Sequence, residues 1–159
     1  MRLWGSGLVL ALATITVAGA WAGSTRRAAQ RGEQPPKQED PARTIAQIVR
    51  EVQMDLEGSS STGVLSKIDR AKFEDYPRFQ DMVERLTRED TLRVFFRQTT
   101  NSVKEDTAQT ILDAEMEMTR KDSAVPTQRR KQQITIDLAR TSRGWKITNI
   151  TPRDFFQPL

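Results

Sequence analysis

The sequence predicts an α+β domain in which three N-terminal helices cover one face of a four-stranded antiparallel sheet. Three observations carry this. Apolar spacing changes at Thr91 from the helical period of about 3.6 to the strand period of about 2. The runs that follow each have one apolar and one charged face, the pattern of an antiparallel sheet covered on one side. Finally, Arg129 to Phe156 alternates through two runs joined by a tight turn and closed by a Pro and a Phe pair.

The first helix starts at Asp40-Pro41, an N-cap followed by Pro at the first helical position, where a missing N–H costs nothing. Ile45, Ile48, Val49, Val52 and Leu56 form its apolar stripe, and Gly58 ends it. Ser59 to Gly63 reads as a loop. Val64, Leu65 and Ile68 predict a short second helix reaching about Ala71. Asp75 or Tyr76 caps a third, with Pro77 in its first turn and Phe79, Met82, Val83 and Leu86 on its apolar face; Glu89-Asp90 marks its end.

Four strands follow. Leu92, Val94 and Phe96 alternate with Arg93, Phe95 and Arg97, and Asn101 to Asp106 reads as a polar turn. Leu112, Ala114, Met116 and Met118 alternate with Ile111, Asp113, Glu115 and Glu117. After a loop containing Pro126, Ile134, Ile136 and Leu138 alternate with Thr135 and Asp137. The turn Thr141 to Gly144 ends in Gly, as a hairpin with a left-handed position requires, and Trp145 and Ile147 continue the apolar face.

Residues 1–22 do not belong to this domain. Arg2 supplies a positive start, Leu3 to Val17 is apolar apart from Gly, Ser and Thr, and Ala20-Trp21-Ala22 fits a cleavage site. The expectation is export to the periplasm or beyond. The alternative is an uncleaved membrane anchor, favoured by the basic flank Arg26, Arg27 and Arg31. Residues 23–41, polar and rich in Gln, Pro and charge, read as a disordered tether, leaving 42–159 as one domain.

Composition removes much chemistry. The 159 residues include no Cys and no His, which excludes disulfides, thiolate metal sites, His-based zinc sites and Ser-His-Asp or Cys-His catalysis. No glycine-rich phosphate loop is present, and nothing implies a cofactor. The domain has 20 Lys and Arg against 18 Asp and Glu, so no nucleic-acid partner is expected, and Arg129-Arg130-Lys131 reads as a solvated strand start.

The order of helices, the strands TLRVFFR and ILDAEMEM, and the closing RGWKITNI resemble the nuclear transport factor 2-like superfamily, which includes SnoaL-like proteins. The resemblance spans roughly residues 42–157. It implies a curved sheet, a cone with the helices on its concave face, and a Trp145 packed inside. Relatives usually carry a small strand pair between the second and third helices, for which Lys72 to Asp75 leaves almost no room. Enzymes of this kind, such as those resembling ketosteroid isomerase, use an Asp, His or Tyr inside the cone. Relatives also dimerise through the outer sheet face.

Strand phase gives a bottom-up expectation for the site. With Met116 and Met118 facing the helices, Asp113, Glu115 and Glu117 face outward, and so does Asp137. No strand carboxylate then lines the cone. Tyr76, Phe79, Met116, Met118 and Trp145 are the candidate lining of a pocket for a small apolar ligand, each having plain core or, for Tyr76, a packing staple as its alternative. Asp113, Glu115 and Glu117 share a face and could in geometry bind a metal, but Arg93 and Arg97 point instead to cross-strand pairing, and no metal site is expected. Phe155-Phe156 docks the tail or serves as a partner contact. The leading expectation is a non-catalytic exported domain that binds a small apolar ligand or an envelope protein; the alternative is a SnoaL-like or ketosteroid-isomerase-like enzyme acting on a small hydrophobic substrate through Tyr76 and a carboxylate whose side of the sheet the strand phase misassigns.

Overall fold

A computed structural model describes residues 40–122 and 125–159. The predicted leader, residues 1–22, and nearly all of the tether lie outside the described residues. Among those described, no helix is long and apolar enough to cross a membrane. The elements are α1 (Pro41–Glu57), α2 (Ser61–Ser66), α3 (Tyr76–Glu89), β1 (Asp90–Lys104), β2 (Thr107–Arg120), β3 (Gln128–Thr141), β4 (Gly144–Thr151) and a final 3₁₀ turn (Arg153–Phe156). Helices cover one face of a sheet ordered β1-β2-β3-β4, each strand antiparallel to its neighbour.

Local chemistry explains the start. The Asp40 side chain accepts from the Ala42 N–H at 3.0 Å, the capping bond that Asp40-Pro41 predicted. The five stripe residues of α1 are all buried. The chain turns after α1 at Ser59, whose φ of 56° is left-handed, whereas Gly58 sits at φ −78°.

The expected loop at Ser59 to Gly63 is half helix. Ser60 caps α2 through Gly63 N–H at 3.1 Å, a signal present in the sequence but outweighed by Gly63 inside the helix. That glycine has a packing cause: a Cβ there would lie 2.3 Å from the Asp55 carboxylate of α1. Conversely, α2 stops at Ser66 and does not reach Ala71. Its next residues leave the helix to pair with β4, Asp69 N–H donating to the Ile147 carbonyl (2.8 Å) and Ile147 N–H to the Lys67 carbonyl (2.9 Å). This one-residue parallel bridge at Ile68 occupies the place where relatives are expected to carry a strand pair.

Two strands are longer than their apolar patterns. β1 continues through the expected turn at Asn101 and reverses at Glu105-Asp106. Its second half, Gln98 to Lys104, is exposed throughout and so has no apolar face to read. Likewise β3 starts at Gln128 rather than near Ile134. Gly144 closes the β3–β4 hairpin at φ 98°, as its turn signal required, with the Thr141 hydroxyl donating to the Gly144 carbonyl at 2.7 Å.

The core lies between α1, α3 and the inner sheet phase, closed by the tail. Phe155 and Phe156 are buried; Phe156 meets Phe79 edge-on with centroids 5.4 Å apart, and Phe155 meets Phe96 at 6.2 Å. Arg130 holds this tail by donating to the carbonyls of Asp154, Phe155 and Gln157 at 2.7–2.9 Å, so this residue of the expected solvated run has a structural task.

Each sheet edge is covered in part from within the chain. On β4 the Ile68 bridge covers the centre. On β1, α1 supplies side-chain acceptors: Glu57 takes the Val94 N–H at 2.9 Å and Gln53 the Phe96 N–H at 3.4 Å.

Candidate functional site

Inside the cone, Tyr76, Phe79, Met116, Met118 and Trp145 are all buried. They do not form one pocket wall. In the sheet register Met118 lies opposite Gln128, while Trp145 lies opposite Arg140 of the same β3 strand. Twelve strand positions separate those levels, roughly 40 Å of β3. Phe79 packs against Phe73 and Phe156 instead, and Met116 and Met118 lie beside Val94 and Leu92 of β1. The Tyr76 hydroxyl is buried with no hydrogen-bond partner among the described residues, and Arg70 sits over its ring at 5.5 Å.

The outer face has a more developed surface. Register places three residue columns side by side: Arg93, Phe95 and Arg97 on β1; Glu117, Glu115 and Asp113 on β2; Arg129, Lys131 and Gln133 on β3. An acidic stripe therefore runs between two basic ones. Arg97 pairs with Asp113 at 2.5 Å, Lys131 with Glu115 at 3.0 Å, and Arg129 contacts both Glu115 and Glu117. The Arg97 hydrogen bond, then that of Gln133, holds the Asp113 carboxyl below its ordinary range. Arg93 faces Glu117 in register but forms no ion pair among the described residues.

Asp113, Glu115 and Glu117 do share a face, as their spacing requires, yet each is matched by a cation on a neighbouring strand. Asp137 is likewise on the outer phase, accepting from Gln109 at 2.8 Å and Asn149 at 3.3 Å. In the middle of the charged field stands Phe95, 61% exposed. With Arg97, Asp113, Glu115, Lys131 and Gln133 it lines an open depression of about 530 Å³. The Phe95 ring thus offers apolar area within a rim of charged and polar side chains.

Neither a family model nor a curated protein matches the sequence. Solved structures do match the fold. A nuclear transport factor 2-like superfamily protein from Salmonella enterica aligns with TM-score 0.60 at 11% identity, over 69% of this chain and 87% of that one. A nuclear transport factor 2-like protein of unknown function from Shewanella oneidensis aligns with TM-score 0.55 at 8% identity, over 70% and 97%. The chain has the nuclear transport factor 2-like fold. A proposed scytalone dehydratase from Novosphingobium aromaticivorans shares it as well, with TM-score 0.59, 9% identity and coverage of 68% and 79%.

Within this nuclear transport factor 2-like domain one expectation needs correction. The inner face does contain a strand carboxylate, Asp90, the first residue of β1 and fully buried. Strand phase could have found it, because Asp90 alternates in step with Leu92, Val94 and Phe96; reading it as the end of α3 hid the match. One Asp90 oxygen lies 3.7 Å from the Arg120 Nε, and the other accepts from the Leu159 N–H at 3.4 Å. Arg120 also donates to Glu89 at 2.6 Å and to the Leu159 carbonyl, so this cluster fastens the tail to the α3–β1 junction. Arg120 holds the Glu89 carboxyl below its ordinary range, chiefly by that hydrogen bond.

Proposed function

We propose that this is an exported nuclear transport factor 2-like domain that works by binding, and that it docks a protein partner of the cell envelope on its outer sheet face. The observation that carries this reading is Phe95, an aromatic ring left 61% exposed at the centre of a charged, register-ordered surface. Packing of the five candidate pocket residues into the core favours a protein partner over a small apolar ligand. The N-terminal pattern of residues 1–22 supports export.

The enzymatic alternative needs an acid or base and a donor that reach one substrate. Tyr76 opens α3 and Asp90 directly follows its end, so the 14-residue helix sets them roughly 21 Å apart. Asp90 is moreover fully buried, with one oxygen 3.7 Å from Arg120 Nε and the other accepting from the Leu159 N–H, so it faces the tail and not an open cavity.

The test is native mass spectrometry of the chain isolated from its own envelope, alongside Phe95→Ser and Arg97→Glu variants. A stoichiometric protein partner, lost in both variants while their circular dichroism is unchanged, is the expected result. A retained small molecule with no dependence on Phe95 would overturn the reading. N-terminal sequencing of the same material is expected to begin at Gly23, which removes the anchor; a start at Met1 would show the leader uncleaved, as the anchored alternative requires.

A further inference from the structure

The guard on the β1 edge stops halfway. Glu57 and Gln53 of α1 occupy the outward N–H groups of Val94 and Phe96, but no described side chain accepts from a backbone N–H between Gln98 and Lys104. All seven of these residues are exposed. Of the usual devices that blunt an edge strand the segment has one charge, Lys104, and one bulge, at Thr99, but no Pro, and past the bulge Thr100 to Val103 carries neither charge nor Pro.

Register identifies which backbone groups are open. In an antiparallel pair, alternate residues point their N–H and C=O toward or away from the neighbouring strand. Before the bulge the outward residues are the even ones, as Val94 and Phe96 show. Thr99 is then inserted, since Gln98 lies opposite Leu112 but Thr100 opposite Ile111. One extra residue inverts the alternation. Thr100 and Ser102 therefore bond to β2, and Asn101 and Val103 present their N–H and C=O groups to solvent.

We propose that a second copy of this chain pairs antiparallel with this segment, Asn101 facing Asn101 across a two-fold axis and the two sheets becoming one. Only outward residues can exchange bonds across such an axis, and Asn101 is one. The same register sets Val103 against Thr99 and Lys104 against Gln98 of the second copy, whose amide oxygen can accept from the ammonium. No like charges meet. Addition stops at two copies because the other sheet edge, on β4, is held by Ile68. This contact lies on the sheet edge and leaves Phe95 and the outer face free.

Sedimentation of the full chain across a concentration series tests the proposal, with amide hydrogen exchange as a second readout. The wild type is expected to form dimers in which the Asn101 and Val103 amides become protected while that of Thr100, already bonded to β2, is protected at every concentration. Asn101→Pro removes an outward N–H without touching the ladder and is expected to weaken dimerisation at least about tenfold, or roughly 1.4 kcal/mol. Should that variant fold poorly, Asn101→Lys and Asn101→Glu decide the matter at an exposed position. Each alone is expected to be monomeric, and an equal mixture to recover a dimer, because residue 101 faces itself only in this register. A wild type that stays monomeric, or a dimer that survives all three changes but is lost in Phe95→Ser, would overturn the proposal.

Discussion

Glu57→Ala removes one acceptor and leaves the fold's other contacts in place. The Glu57 carboxylate accepts the Val94 N–H at 2.9 Å, and Val94 itself is buried on the inner face of β1. A hydrogen bond to a charged group contributes about 1.5–3 kcal/mol, and an orphaned buried N–H costs a similar amount. Glu57 is solvent-exposed, so water can reach part of the vacated site and the lower end applies. The expected loss is about 1–1.5 kcal/mol, or roughly 3–6 °C in Tm for a domain of this size. Glu57→Gln keeps an acceptor oxygen and should lose less than half of that. Urea unfolding followed by circular dichroism measures both, and exchange of the Val94 amide should quicken in the Ala variant while that of Arg93 does not change. An Ala variant within about 0.3 kcal/mol of wild type, or a Gln variant equally destabilised, would refute the idea that α1 guards this edge through a specific acceptor.

Other expectations are as direct. Arg120→Met removes the hydrogen bonds to Glu89 and the Leu159 carbonyl together with the cation 3.7 Å from buried Asp90, and should cost about 1–3 kcal/mol in urea unfolding, with Asp90→Asn restoring part of it in the double variant; additive single effects would contradict the pairing. Glu51, Glu89 and Asp113 all have carboxyls lowered from ordinary values of 4.5, 4.5 and 3.8, through Lys67, Arg120 and Arg97 respectively. A lowered folded value means stability that is complete above the ordinary value and lost as pH falls through the folded one. Unfolding free energy should thus be flat near neutrality and decline below about pH 4.5, and Lys67→Met should make that acid slope shallower; an identical slope would refute it. Partner binding or self-association on the outer face depends on exposed charge and should weaken as salt rises from about 0.1 M to about 1 M, where screening shortens from about 10 to about 3 Å. Light scattering that shows no salt dependence would exclude the charged face.

Several features were legible because their causes are local. The Asp40-Pro41 cap, the α1 stripe and the Gly144 turn depend on nearby residues alone, and each is found where the pattern placed it. Strand phase also placed Asp113, Glu115, Glu117 and Asp137 outside, because a two-residue period fixes side once one face is known to be buried. Phase was less safe at element ends. There the pattern extends α3 over Asp90, the first residue of β1, and continues α2 over Ile68, which is apolar in either setting but bridges to β4.

The order of elements, the inner and outer sides of the sheet and the exclusion of histidine and cysteine chemistry all follow from the amino-acid order alone. Those depend on periodicity and composition. Long-range packing, by contrast, sets Met116 and Met118 at the opposite end of the sheet from Trp145, brings Asp90 beside Arg120, and leaves half of one edge guarded and half open. Each of these is a relation between residues far apart in the chain, set by strand register and helix placement. A single inserted residue, Thr99, reverses which backbone groups face solvent, and no local pattern in a polar strand announces it.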